Sequence, residues 1–223
     1  GRDSTWGFGV VFSDDTLKGL MEADAASYKQ IVERFSYWGG IDTKIHGKTI
    51  NSKGHGFCGM SRLSLLNILH DRCEELGVNL IFNTEIKNVE ELMPEQYDLV
   101  VAGDGISSII REKYSGEFGT SMDWRRNKFC WLATTKPLDD FEFIFRKNDH
   151  GWWWVHAYRY EAGMTTWIVE TSKETWLKAD LDKANEKDTQ AYCEELFKED
   201  LDGHPLITNR SVWRTFPVVS NKR

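Results

Sequence analysis

Between Asn127 and Thr171 the chain carries four strand-length segments, roughly 127–135, 141–147, 152–160 and 164–171. Turn-forming stretches such as Asn148-Asp149-His150-Gly151 and Glu161-Ala162-Gly163 separate them. This spacing predicts an antiparallel meander. Side chains alternate across a strand, so Phe141, Phe143 and Phe145 share one face. Trp152, Trp154, His156, Tyr158 and Tyr160 share a face of the next strand. Most of these rings read as the filling of a sheet face. His156 differs, because an imidazole among rings must find a partner or a ligand.

The first half has another texture. Ser13 reads as an N-cap with Asp14 and Asp15 in the first turn of a helix reaching about Met21. Asp24 caps a second helix carrying Tyr28, Ile31, Val32 and Phe35, expected to end at Gly39-Gly40. Two short strands, Ile41 to His46 and Lys48 to Ile50, flank Gly47. The longest helix is expected from Ser61 to Leu76, with Leu63, Leu66, Leu69, Cys73 and Leu76 on one face and Gly77 as its stop. Val78 to Phe82 reads as a strand. Asp98-Leu99-Val100-Val101-Ala102 reads as a buried parallel strand that feeds the turn Gly103-Asp104-Gly105 and a helix from Ser107 to about Tyr114. Helices are expected after Ser172 and over 188–199, and a last strand from Ser211 to Val219. The fold class is therefore α+β.

Composition narrows the function classes. The 223 residues hold 28 Lys+Arg against 35 Asp+Glu, a net charge of −7 and a pI near 5.4. That argues against a nucleic-acid binder, which needs clustered cations. No apolar run approaches bilayer length and no signal core opens the chain, so a cytoplasmic protein without membrane partners is expected. Cys58, Cys73, Cys130 and Cys193 form no CxxC pair and read as free thiols. The six histidines show no HxxxH or HExxH spacing, so no metal is expected, and no G-x-S-x-G supports a hydrolase.

Two glycine motifs remain. Gly54-His55-Gly56-Phe57-Cys58-Gly59 matches G-x-G-x-x-G, but Lys48 to Lys53 before it is too polar for the buried strand that a dinucleotide loop follows, so it reads as a decoy. Asp104-Gly105-Ile106-Ser107-Ser108-Ile109-Ile110-Arg111 has the pattern D-G-x-x-S-x-x-R. Asp104 can accept from a sugar hydroxyl, the helix start can meet phosphate, and Arg111 can pair with phosphate or carboxylate. An ordinary turn with an Asp cap and a surface Arg is the equal alternative.

The stretch DLVVAGDGISSIIR resembles the second fingerprint of the class A FAD-dependent aromatic monooxygenases, the para-hydroxybenzoate hydroxylase group. GFGVVFSDDTL, HGFCGMSRLSLLNILHDRCEELGV, RRNKFCWLATTKPLDDFEFIFR, HGWWWVHAYRY and WIVETSKETW resemble the branch of that family acting on aryl-CoA thioesters and, more loosely, hydroxylases of tryptophan-derived indoles. The resemblance spans essentially the whole chain. It implies a truncated para-hydroxybenzoate-hydroxylase-like fold, a middle piece without the family's first G-x-G-x-x-G unit or its later G-D motif. Residues 1–126 would be a partial FAD-binding domain and 127–223 an antiparallel substrate-binding sheet with helices.

It implies FAD, with NAD(P)H as reductant, and a flavin-based reaction that needs no catalytic side chain. By match to the family's pattern, Asp104, Gly105, Arg62, Arg111, Gly7, Phe8 and Gly9 are the cofactor-binding candidates. The substrate is expected against the sheet, near His156, Trp154, Tyr158 and Phe145, with His156 orienting it. An indole substrate, or a non-catalytic module binding an aromatic ligand or a protein partner, are the alternatives.

Overall fold

The computed structural model describes residues 5–222. Along the chain the elements are β1 (Gly9–Ser13), α1 (Asp14–Ala23), α2 (Ala25–Val32), β2 (Ser36–Ile45), β3 (Lys48–Ser61) and α3 (Arg62–Glu75). Short helices α4 (Ile109–Lys113) and α5 (Ser115–Phe118) precede β4 (Ser121–Trp124). Then come β5 (Lys128–Thr134), β6 (Phe141–Asn148), β7 (Gly151–Glu161), β8 (Met164–Thr171), α6 (Lys173–Lys178), α7 (Glu186–Leu196), α8 (Lys198–Leu201), β9 (Leu206–Ile207) and β10 (Pro217–Ser220). The fold is α+β, as expected.

Contacts group residues 1–80 with 126–214 into one compact unit, and 81–125 with 215–223 into another. The compact units therefore do not follow a single cut after residue 126. The reason is strand pairing: the large sheet runs β1-β3-β2-β6-β7-β8-β5-β9 and draws strands from both sides of that position. β6, β7 and β8 form the expected antiparallel meander. β5, however, pairs with the far side of β8, and β6 lies parallel to β2. Asp140, in the β5–β6 connection, accepts from the Gly40 amide at 3.0 Å and anchors that parallel junction.

One face of the sheet is filled. Cys130, Leu132, Ile144, Trp153, Val155, Ala157, Trp167 and Val169 are fully buried there against Leu181, Cys193, Phe197 and Leu201 from the segment 173–201. A second core joins Leu17, Ile31, Cys58, Met60 and Ile68 beneath α1, α2 and α3. Helix α3 matches its expected span, but not its expected face. Ile68 is the buried position with Leu65 beside it, whereas Leu69 and Leu76 are exposed. Arg72 lies on that inner stripe, one turn beyond Ile68, and reaches α2.

There Arg72 meets Asp24, the N-cap of α2. Asp24 accepts from the Ser27 amide and hydroxyl at 3.2 and 2.6 Å, and from Arg72 Nε and Nη2 at 3.0 Å. The Arg72 guanidinium, helped by Ser27, holds the carboxyl down at about 2 from an ordinary 3.8. A folded value below the unfolded one contributes stability above the unfolded value, lost as pH falls through the folded one. Urea midpoints measured from about pH 4 down to about pH 2 are expected to drop more steeply for the wild type than for Asp24→Asn, which keeps the cap but not the charge.

Other expectations shift. α2 ends at Val32, and Gly39 and Gly40 lie inside β2. β2 and β3 are much longer than foreseen and turn at His46-Gly47, both with positive φ (51° and 70°) as a two-residue hairpin requires. Val78 to Phe82 is not a strand, and residues 211–216 contribute only an isolated bridge, Arg214 with Phe129, before β10.

The smaller unit holds α4, α5 and the antiparallel pair β4–β10. Asp98 to Ala102 is not a strand there. Leu99 and Val101 are 78% and 80% exposed. A parallel strand exists only through hydrogen bonds to flanking strands and cover on both faces, and no described residues supply either. No helix among the described residues is long and apolar enough to cross a membrane.

Candidate aromatic site and nucleotide turn

The face of the large sheet opposite the filled core is built in cross-strand rows. Phe143, His156, Ile168 and Trp131 stand side by side on β6, β7, β8 and β5, and Phe145, Trp154, Glu170 and Phe129 form the next row. Phe129, Trp131, Phe143, Phe145, Trp154, His156 and Ile168 are all half-buried, while their neighbours along each strand point into the filled core. Half-exposed rings gathered on one face are an apolar wall of the kind that marks a binding surface. On the opposite face of β7, Trp153 and Val155 are both fully buried.

A carboxylate stands inside this wall. Glu170 is 7% exposed. Its Oε2 accepts from the Trp154 indole Nε1 at 2.7 Å and its Oε1 from Asn127 Nδ2 at 2.7 Å. His156 Nε2 lies 3.6 Å from Oε2, and the imidazole and the Phe143 ring meet edge to face with centroids 5.0 Å apart. Burial pushes the His156 imidazole below its ordinary value, with the Glu170 carboxylate pulling the other way. His156 is thus neutral at neutral pH. Sequence reading overlooked Glu170 and Asn127. The available signal was parity: Glu170 falls two residues after Ile168 in an otherwise apolar strand, on the face that carries His156.

Of the expected substrate residues, His156, Trp154 and Phe145 come together on the wall. Tyr158 shares their face but lies under β1. It is buried, stacks on Phe141 at 5.7 Å and donates to the Gly9 carbonyl at 3.1 Å. Burial pushes its phenol up to about 12.

The expected cofactor residues fall into two groups, one on each compact unit. In the larger unit, the Gly7-Phe8-Gly9 segment is pinned from three directions. Asn209 Nδ2 donates to the Gly7 carbonyl at 2.9 Å, Arg62 N to the Phe8 carbonyl at 2.9 Å, and Gly9 N to Thr166 Oγ1 at 3.1 Å. Gly9 is glycine for a close approach to the chain's own sheet, since a Cβ would fall 2.5 Å from Tyr160 Cβ. Arg62 is exposed at the first position of α3, where a cation opposes the helix dipole unless an anion is near.

In the smaller unit, Gly103, Asp104, Gly105, Ser108, Ile110 and Arg111 line an open cleft of about 500 Å³. Here the motif looks inward. Asp104 Oδ2 accepts from the Ile109 amide at 3.0 Å, Ser108 Oγ from the Arg111 amide at 3.0 Å, and the Arg111 guanidinium donates to the carbonyls of Gly105 and Ile106. The hydrogen bond with Ser108 keeps the Asp104 carboxyl below its ordinary value, so it is ionised. The Ile109 and Arg111 amides at this helix start are thus already satisfied by the motif's own side chains. The segment Gly54 to Gly59 is no loop at all. It lies within β3, with Gly59 packed against Trp38 and the Arg159 carbonyl, as the decoy reading requires.

No protein-family model matches the chain. It is 34% identical over 222 residues to salicyloyl-CoA 5-hydroxylase from a Streptomyces species, an alignment covering 96% of this chain and 43% of the relative. Protodeoxyviolaceinate monooxygenase from Chromobacterium violaceum is 30% identical over 97% of the chain and 58% of its own length. The 3-hydroxy-4-methyl-anthranilyl-(aryl-carrier protein) 5-monooxygenase of Streptosporangium sibiricum is 27% identical over 100% of the chain and 58% of its own length. The fold is that of 2-methyl-3-hydroxypyridine-5-carboxylic acid oxygenase, with a TM-score of 0.73 at 14% identity over 99% of this chain and 62% of that one. PqsL from Pseudomonas aeruginosa, described as a probable FAD-dependent monooxygenase, gives a TM-score of 0.63 at 12% identity, covering 98% of this chain and 64% of its own. The chain spans about half the length of the curated relatives it matches. Similarity that runs through almost the whole chain, carried on a shared fold, relates it to the corresponding part of these monooxygenases.

Proposed function

We propose that this chain forms the substrate sheet and part of the cofactor-binding surface of an FAD-dependent hydroxylase that acts on an aromatic ring carried as an aryl-CoA thioester. The observation that carries the reading is the half-open aromatic wall with a hydrogen-bonded carboxylate inside it, on a sheet whose other face is filled. The relative at 34% identity is named for a CoA thioester of an aromatic acid, which supports that substrate class. A tryptophan-derived indole is the second reading, supported by the 30% identity to protodeoxyviolaceinate monooxygenase.

FAD reduced by NAD(P)H supplies the oxygen-transferring chemistry when bound. The chain's own residues have simpler tasks. Arg62 would neutralise a phosphate, Asp104 would accept from a sugar hydroxyl, and the pinned backbone of Gly7 to Gly9 would border the cofactor. Phe143, Phe145 and Trp154 would hold the ring and exclude water, and His156 would orient it. The four free thiols, three of them buried, suit a cytoplasmic setting.

Binding tests the reading directly. Benzoyl-CoA is expected to quench the tryptophan fluorescence of the protein saturably, acetyl-CoA to bind at least tenfold more weakly, since a buried aromatic ring contributes well over ~1.4 kcal/mol. Equal affinity for the two thioesters would remove the aromatic wall from substrate recognition. Tighter binding of an indole than of benzoyl-CoA would favour the second reading.

A further inference from the structure

Glu170 stands between three polar side chains of the wall. Its carboxylate accepts from two donors, Trp154 and Asn127, and its Oε2 also faces His156 Nε2 at 3.6 Å. At 3.6 Å no hydrogen bond closes between them, but a carboxylate beside one ring nitrogen favours, through its charge, the tautomer with the proton on that nitrogen. Nδ1 is then the lone-pair nitrogen. It has no hydrogen-bond partner among the described residues and is not among the buried unpartnered atoms, so it stays accessible on the open wall. Phe143, in a T-shaped contact with the imidazole at a centroid distance of 5.0 Å, limits its rotation.

We infer that Glu170 is the specificity-determining positioning residue of this wall: it orients His156 so that Nδ1 accepts a hydrogen bond from a hydroxyl or amino substituent on the substrate ring. Glu170 itself touches no substrate. The preferred substrate is thus a benzoyl-type ring with a hydroxyl or amino donor, and not an unsubstituted one. Accepting that hydrogen bond leaves the proton on the substituent while raising electron density in the ring, the sense required for attack by an electrophilic oxygen. The inference rests on the aromatic-wall reading above and adds its selectivity.

The probes are 2-aminobenzoyl-CoA and benzoyl-CoA, titrated into wild type, Glu170→Gln and His156→Phe. The amino group keeps a second N–H after any internal bond to the thioester carbonyl, so a donor is still available. Wild type is expected to prefer 2-aminobenzoyl-CoA by roughly threefold to tenfold, the weight of one net hydrogen bond. Both variants are expected to lose that preference, so that the two probes bind each variant alike. His156→Phe leaves the bonds of Glu170 to Trp154 and Asn127 intact, so it serves even if Glu170→Gln fails to fold. A purely structural Glu170 would weaken both probes alike, and that result overturns the inference. So would equal binding of both probes to wild type, or a nitrogen-15 spectrum showing the His156 proton on Nδ1. Binding of neither probe overturns the aromatic-wall reading itself, and the inference with it.

Discussion

Trp153→Ala is expected to destabilise the protein by about 3–5 kcal/mol, the range for deleting a fully buried indole. Trp153 lies at the centre of the filled face of the sheet, with its ring 5.2 Å from Tyr192 and 6.2 Å from Trp213. Its Nε1 donates to Asn148 Oδ1 at 3.1 Å, a bond lost with the ring. β7 pairs on both edges and cannot shift to close the space without breaking register with β6 and β8. Trp153→Phe fills much of the cavity and is expected to cost clearly less. Urea unfolding, read as a change in midpoint at constant slope, measures both. A loss below about 1 kcal/mol for the alanine variant would mean that the segment 173–201 does not pack on this face.

Arg146→Met is the second large effect, about 3 kcal/mol or more, because it strands a buried carboxylate. Asp200 in α8 has a side chain only 3% exposed and receives Arg146 Nε at 2.8 Å and Nη2 at 2.5 Å, while Lys136 Nζ donates to the Asp200 carbonyl. Burial pushes the Asp200 carboxyl up, with the charges of Arg146, Lys44 and Lys136 opposing that rise. Without Arg146 the rise goes unchecked, so the variant is expected to lose most stability where Asp200 must stay ionised, above its raised folded pKa, and to recover part of it as the solution is acidified. Asp200→Ala is expected to cost less, because the guanidinium it leaves behind is 25% exposed and can turn to water. The double variant Arg146→Met/Asp200→Leu, with no charge left unpaired, should approach wild-type stability. Denaturation at two pH values, on all three variants, checks the order.

The local signals in the chain were legible where one residue's chemistry settles one local event. Ser13, Asp24 and Ser172 cap the helices expected of them, since a short polar side chain satisfies a free amide wherever a helix starts. The four strands between residues 128 and 171 appear within a few positions of their expected ends, because alternation and turn residues act over short spans. The buried face of α3 was misjudged for the opposite reason. Leucines occur all around that helix, and only the position of α2 and β3 decides that Ile68 and Leu65 face inward.

By itself, the sequence determined the α+β class, the likeness to the monooxygenases, the aromatic face of β7 and the absence of a dinucleotide loop at Gly54 to Gly59. Each depends on residue identity and spacing over a few turns or strands. Tertiary structure decided what needed distant partners. Asp98 to Ala102 has the composition of a strand but becomes one only beside other strands, and Leu99 and Val101 stay exposed without them. Asp104 and Arg111 carry the letters of a cofactor turn, and only the folded backbone brings Asp104 Oδ2 onto the Ile109 amide and the Arg111 guanidinium onto the Gly105 carbonyl. Glu170 was hidden for the same reason. A carboxylate in a strand says nothing about its neighbours until registration places Trp154 on the adjacent strand and Asn127 beyond β8, converging on one carboxylate beside His156.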